Sequence, residues 1–264
     1  MPKTNHIREL KDNIKENKIT FAVYVVLRAF VITSLIISLM RGDLESAFVC
    51  LLSLILFLVP SFLEKSLKIY LPSVLEIIVL LFIFAAEILG ELNAYYVKIP
   101  FWDTMLHTIN GFLCAAVGFA LIDILNRNDK FKFQLSPLYV AIVAFCFSMT
   151  IGVLWEFFEF GVDLFLGFDM QKDTIIKEIR SVALDPTKTN TVVSIQDIKD
   201  VTIDEKALGV GGYLDIGLFD TMEDLLVNFI GATVFSILGF FYIKTRGKGK
   251  IAKNFIPTLR KGTE

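Results

Sequence analysis

The chain has 264 residues, 55% of them hydrophobic and 25 of them Phe, with a mean hydropathy of +0.63. That composition excludes an ordinary soluble domain and puts the chain among integral membrane proteins. A net charge of −2, with no basic stretch interleaved with stacking aromatics, excludes a nucleic-acid binder.

Residues 1–18 are polar and mixed in charge, with Ile7, Leu10 and Ile14 at loose helical spacing. They read as an interfacial helix or a cytoplasmic tail. The apolar run that follows is too long for a signal-peptide core and lacks a small-residue cleavage site, so it reads as an uncleaved anchor. Six stretches, at about 19–40, 44–63, 73–92, 103–125, 137–160 and 218–243, each approach the ~20 residues a bilayer requires. Pro60 and Pro72 bracket the second connection, and Pro137 stands at the first turn of the fifth span, where proline is tolerated. Cys50, Cys114 and Cys146 lie inside apolar runs without CxxC spacing and read as small core hydrophobes.

Lysine and arginine set the orientation. With both termini cytoplasmic, the inner segments hold 17 of the 26 basic residues, and the short outer loops hold only Arg41 and Lys98. The expected fold is an all-α polytopic protein of the inner or plasma membrane, with about six transmembrane helices. A small extracytoplasmic β-containing insertion, 169–217, separates the fifth helix from the sixth. Within it, Ile175–Val182 and Thr191–Ile195 read as strands around a turn at Asp185-Pro186-Thr187-Lys188. A third strand is expected at Asp200–Ile203, and Gly209–Gly212 makes a turn before the last helix. The remaining divisions are 1–18, 19–168 with five helices, 218–243, and a basic tail, 244–264, that touches anionic headgroups.

This orientation gathers costly residues at one outer level. The fourth span brings Asp103 and His107, four apart on one face, and the fifth brings Glu156 and Glu159. The last brings Asp220, Asp224 and Asn228, stacked at a spacing of four, and the third ends at Glu87 and Glu91. Asp103 and Asp220 also suit first-turn acids that favour the positive end of a helix dipole. Arg28, deep in the first span, reads as a counter-charge to a buried carboxylate or as a snorkelling side chain. Trp102, Trp155, Tyr95 and Tyr96 fit an aromatic belt. One imidazole with several carboxylates suits a divalent metal site, for which His107, Glu156 and Asp224 are the candidates. It equally suits a general acid–base cluster. His107, Glu156, Asp224, Asp103 and Asn228 are therefore the candidate catalytic residues. Glu159, Asp220 and Glu87 are the candidates for substrate binding. No HExxH, GxSxG or P-loop is present.

The run WDTMLH, WEFFE, the YLDIG turn at Tyr213–Gly217 and DTMEDLLVNFIGA resembles the YjdF-like inner-membrane family over about residues 70–243. More distantly, Asp103 and His107, Glu156, and Asp224, Asn228 and Gly231 resemble the VanZ-like membrane proteins. VanZ is associated with low-level teicoplanin resistance, so the resemblance implies a cell-envelope role. The long insertion and Asp220 depart from the VanZ pattern. The expectation is an outward-facing Asp/His/Glu pocket that hydrolyses or transfers part of an envelope or lipid-linked substrate. The rivals are a proton- or ion-coupled transporter and a non-catalytic accessory protein of the envelope.

Overall fold

The computed structural model describes residues 18–66, 69–126, 135–245 and 254–259. The N-terminal segment, the connection between the fourth and fifth spans bearing Arg127, Lys130 and Lys132, and most of the basic tail lie outside the described residues. The chain forms two units, one of Met1–Gly152 with Val227–Glu264 and one of Val153–Leu226.

Six helical spans are long and apolar enough to cross a membrane, so the protein is an all-α polytopic membrane protein. They are α1 (Lys18–Arg41); α2 (Leu44–Leu56) with α3 (Val59–Ser66); α4 (Ser73–Ile83), which passes into a π-helix, Phe84–Leu92; α6 (Trp102–Asn126); α7 (Pro137–Leu166); and α8 (Leu218–Lys244). A one-turn helix, α5 (Tyr95–Lys98), precedes α6. Local chemistry sets the starts. Asp43 caps α2 by accepting from the Ser46 amide at 3.0 Å, and Ser136 accepts from Tyr139 at 3.2 Å with Pro137 at the first position of α7. The fifth span runs to Leu166, beyond the expected 160, because the helix passes through Gly161 and stops only at Gly167, whose φ is +70°.

The second span breaks at Phe57–Leu58. The Leu58 amide donates to Ile55 at 2.9 Å rather than to Leu54, which loses its helical donor. Arg28 fills the gap: its Nη2 donates to the Leu54 carbonyl at 3.2 Å, and the guanidinium lies 4.8 Å from the Tyr24 ring centroid. The deep arginine therefore supports a helix break. We expect Arg28→Leu to lower stability by ~1 kcal/mol by leaving a part-buried carbonyl unmet. Thermal unfolding in detergent, read against Arg41→Leu, checks this.

In the first unit, Leu27, Val31, Cys50, Phe57, Leu80 and Ile83 pack the first three spans together. A separate core of Ala115, Ala116, Phe119, Val140, Ala144 and Phe235 joins α6, α7 and α8. Within the C-terminal tail, residues 254–259 return to this core. Ile256 is 1% exposed, the Phe255 ring lies 5.1 Å from Phe112, and β8 (Thr258–Leu259) pairs antiparallel with β1 (Ile69–Tyr70).

In the second unit, the segment after α7 forms three small two-stranded ladders, each separate, so there is no barrel. The expected strand at 175–182 is split. Ile175–Ile176 (β2) pairs with Tyr213–Leu214 (β7), and Ile179–Ser181 (β3) pairs with Val193–Ile195 (β4). Thr202–Ile203 (β5) pairs with Lys206–Ala207 (β6), a partner absent from the sequence reading because two residues carry no alternation. The expected 185–188 turn is built on Asp185, whose carboxylate accepts the amides of Thr187, Thr189 and Thr191. Those bonds hold its pKa below the usual carboxylate range.

Candidate functional site

Helices α7 and α8 are unbroken through both units, and the candidate residues fall on both sides of the division. In the second unit, Glu156 and Glu159 on α7 and Asp224 on α8 are 4%, 7% and 2% exposed. Their carboxylates offer oxygens within 4.8 Å of one another. Glu156 and Glu159, three apart, share one face of α7, so a single helix presents two acids to the third. The Trp155 indole donates to Glu159 Oε1 at 2.9 Å, which fixes one of the three. A lone aromatic beside an acid in the sequence reads as belt; only the structure shows that its N–H is used. Three oxygens at this separation could hold a divalent cation.

Asp220, one turn earlier on α8, also has an oxygen within 4.8 Å of Asp224. Its Oδ2 accepts the Lys172 amide at 2.9 Å, so this carboxylate ties the start of the insertion to α8. Three further side chains secure the same junction. Asp163 accepts from Met170 and Gln171 at 2.6 and 2.8 Å, Asp215 accepts from Thr174 and Phe219 at 2.7 Å each, and Gln171 donates to Thr221 at 2.5 Å. Gly217 enters α8 at φ +78°, and a Cβ there would lie 2.7 Å from that of Gln171. The junction of α7, the insertion and α8 is thus built by backbone-capturing aspartates, of which the sequence singles out Asp220 but not Asp163 or Asp215.

In the first unit, His107 is 8% exposed, and its Nε2 lies 3.5 Å from Asp103 Oδ1, as the four-residue spacing on α6 requires. One turn further, α6 and α8 touch backbone to backbone. A Cβ on Gly111 would lie 2.2 Å from the Asn228 carbonyl oxygen, and one on Gly231 would lie 2.0 Å from that of Thr108. Small residues let membrane helices approach this closely. Ser148 of α7 donates to the Gly111 carbonyl at 2.7 Å. Asn228, 1% exposed, reaches toward the Ser148 carbonyl at 3.5 Å, and its amide nitrogen would be 2.7 Å from a Cβ on Gly152. Asn228 therefore fills the seam of three helices. Glu87 is half-buried on the π-helix and makes no hydrogen bond or ion pair among the described residues.

Six apolar spans, with several acids and an imidazole buried on their helix faces, define a polytopic membrane protein. The family model described as "Predicted membrane protein (DUF2238)" matches residues 22–245, and the chain belongs to that family. An uncharacterized protein of Thermotoga maritima is 30% identical over 84 residues, which cover 32% of this chain and 41% of that protein. The chain thus matches less than half of that relative's length. No solved structure matches.

Proposed function

We propose that the protein is an intramembrane acid–base enzyme of the cell envelope, hydrolysing or transferring a group of an envelope or lipid-linked substrate. The observation that carries this reading is the trio Glu156, Glu159 and Asp224, three buried carboxylates with oxygens within 4.8 Å of one another. Gathering like charges in an apolar medium is costly for a structural role and useful for binding a cation or moving protons. Glu156 and Asp224 serve as acid–base partners or as ligands to a divalent cation, and His107 is the base. Asp103, whose Oδ1 lies 3.5 Å from the imidazole Nε2, orients the ring.

Helical period motivates including His107: His107, Glu156 and Asp224 each stand four residues from Gly111, Gly152 and Asn228 along their own helices. The basic-residue distribution supports placing this level on the extracytoplasmic side, with both termini cytoplasmic. The resemblance to YjdF-like and VanZ-like proteins supports an envelope role.

Transport is favoured less. A relay needs polar groups that continue across the membrane. Past Asn228, the seam of α6, α7 and α8 is chiefly Ala115, Ala116, Phe119, Ala144, Ala232 and Phe235, with Asp123 the one buried carboxylate on these helices beyond it among the described residues. The test is to purify the protein, measure bound divalent metal, and assay hydrolysis and transfer on headgroup and polyprenyl-phosphate substrates in wild type and His107→Ala. Turnover that falls ~10²-fold or more in the variant is expected. No metal and no turnover across the panel, with His107→Ala only less stable, would leave the cluster a packing network.

A further inference from the structure

A second feature lies on the same two helices but away from the acids. Between the first two turns of α7 and the last turns of α8 runs a groove of about 370 Å³, walled by Leu138, Ile142, Phe145, Ile237, Phe240 and Phe241. Ala141, Thr233 and Ser236 complete the lining. Leu138, Ile142, Ile237 and Phe241 are all half exposed or more, so the groove opens on the face these spans turn to the bilayer.

We infer that this groove holds one acyl chain of an anionic phospholipid, with the phosphate at Lys244. This inference is independent of the acid–base reading. Three observations select the occupant. The groove is continuous with the lipid-facing surface of two spans, where only hydrocarbon is at hand. Its rim is also of large side chains, whereas helix pairs in membranes meet through small ones. Finally, Lys244 stands at the end of α8 with its ammonium 5.5 Å from the Phe240 ring centroid, which puts a cation at the mouth of the groove. An anionic headgroup matches it. At the floor, Ser236 is 7% exposed and its Oγ has no hydrogen-bond partner among the described residues, so a larger side chain there enters the groove.

The experiment reconstitutes the full chain in vesicles of phosphatidylglycerol and phosphatidylcholine, with a trace of diazirine-acyl phosphatidylglycerol. Photolabel should concentrate on the peptides containing 138–145 and 233–241, and native mass spectrometry should show one retained phosphatidylglycerol. Ser236→Phe should cut that occupancy at least tenfold. Lys244→Glu should abolish the preference for phosphatidylglycerol over phosphatidylcholine, and Val234→Phe, on the exposed neighbouring face, should change neither. Label spread evenly over exposed faces such as Phe30 and Ile36 would overturn the inference. Chain-to-chain cross-linking through Ile237→Cys would overturn it in favour of a second copy.

Discussion

Replacing Gly231 with valine is expected to be the most damaging single change to the fold. The new Cβ would fall 2.0 Å from the Thr108 carbonyl oxygen and 2.9 Å from the Phe112 amide nitrogen, both backbone atoms of α6. No rotamer change relieves such a contact, so the two helices must separate. Parting them opens the core in which Ala115, Ala116 and Phe119 meet Ala232 and Phe235. Overpacked cores lose ~1–3 kcal/mol when side chains can adjust, and here they cannot, so a loss at or beyond ~3 kcal/mol is expected. Gly111→Ala, with its Cβ 2.2 Å from the Asn228 carbonyl, should behave similarly. Gly161→Ala has open space on every side and should be neutral or stabilising by up to ~1 kcal/mol from helix propensity. Melting temperatures in one detergent check the set. A Gly231→Val variant that melts with wild type would mean that α6 and α8 do not pack as closely as described.

Neutralising the trio should have the largest effect on chemistry. Three ionised carboxylates with oxygens within 4.8 Å, shielded from water, repel strongly until a cation or a proton joins them. Glu156→Gln and Asp224→Asn are therefore expected to hold or gain thermal stability in chelator while losing ~10²–10⁴-fold in turnover. If a divalent cation sits there, wild type should gain about 2.7 kcal/mol at a hundred times the dissociation constant, and both variants should lose that gain. Trp155→Phe removes the indole donor to Glu159 and leaves all three charges, so it should weaken the response without abolishing it. A scan of Mn²⁺, Zn²⁺ and Mg²⁺ against melting temperature separates the cases. Variants that are only destabilised, with no cation response in wild type, would make the cluster a structural network.

Much of this was legible in one dimension. Apolar runs near bilayer length located all six spans, because in hydrocarbon a helix must satisfy its own backbone and cannot be short. The four-residue spacing of Asp103 and His107, and of Asp220, Asp224 and Asn228, put each set on one helix face before any coordinates. Arg28 could not be assigned that way, since the carbonyl it meets is freed by a break 26 residues on. Asp163 and Asp215 look like loop acids, and only their captured amides show them as fasteners of the insertion.

The sequence by itself determined that this is a six-span membrane protein, which costly side chains it carries, and which of them share a helix face. Hydropathy and helical period are local properties, written residue by residue. Only the tertiary structure decided that Asp224 of α8 meets Glu156 and Glu159 of α7, and that Gly111 and Gly231 are where α6 and α8 meet. Those facts depend on the rotation and depth of one helix against another, which no local pattern along the chain specifies.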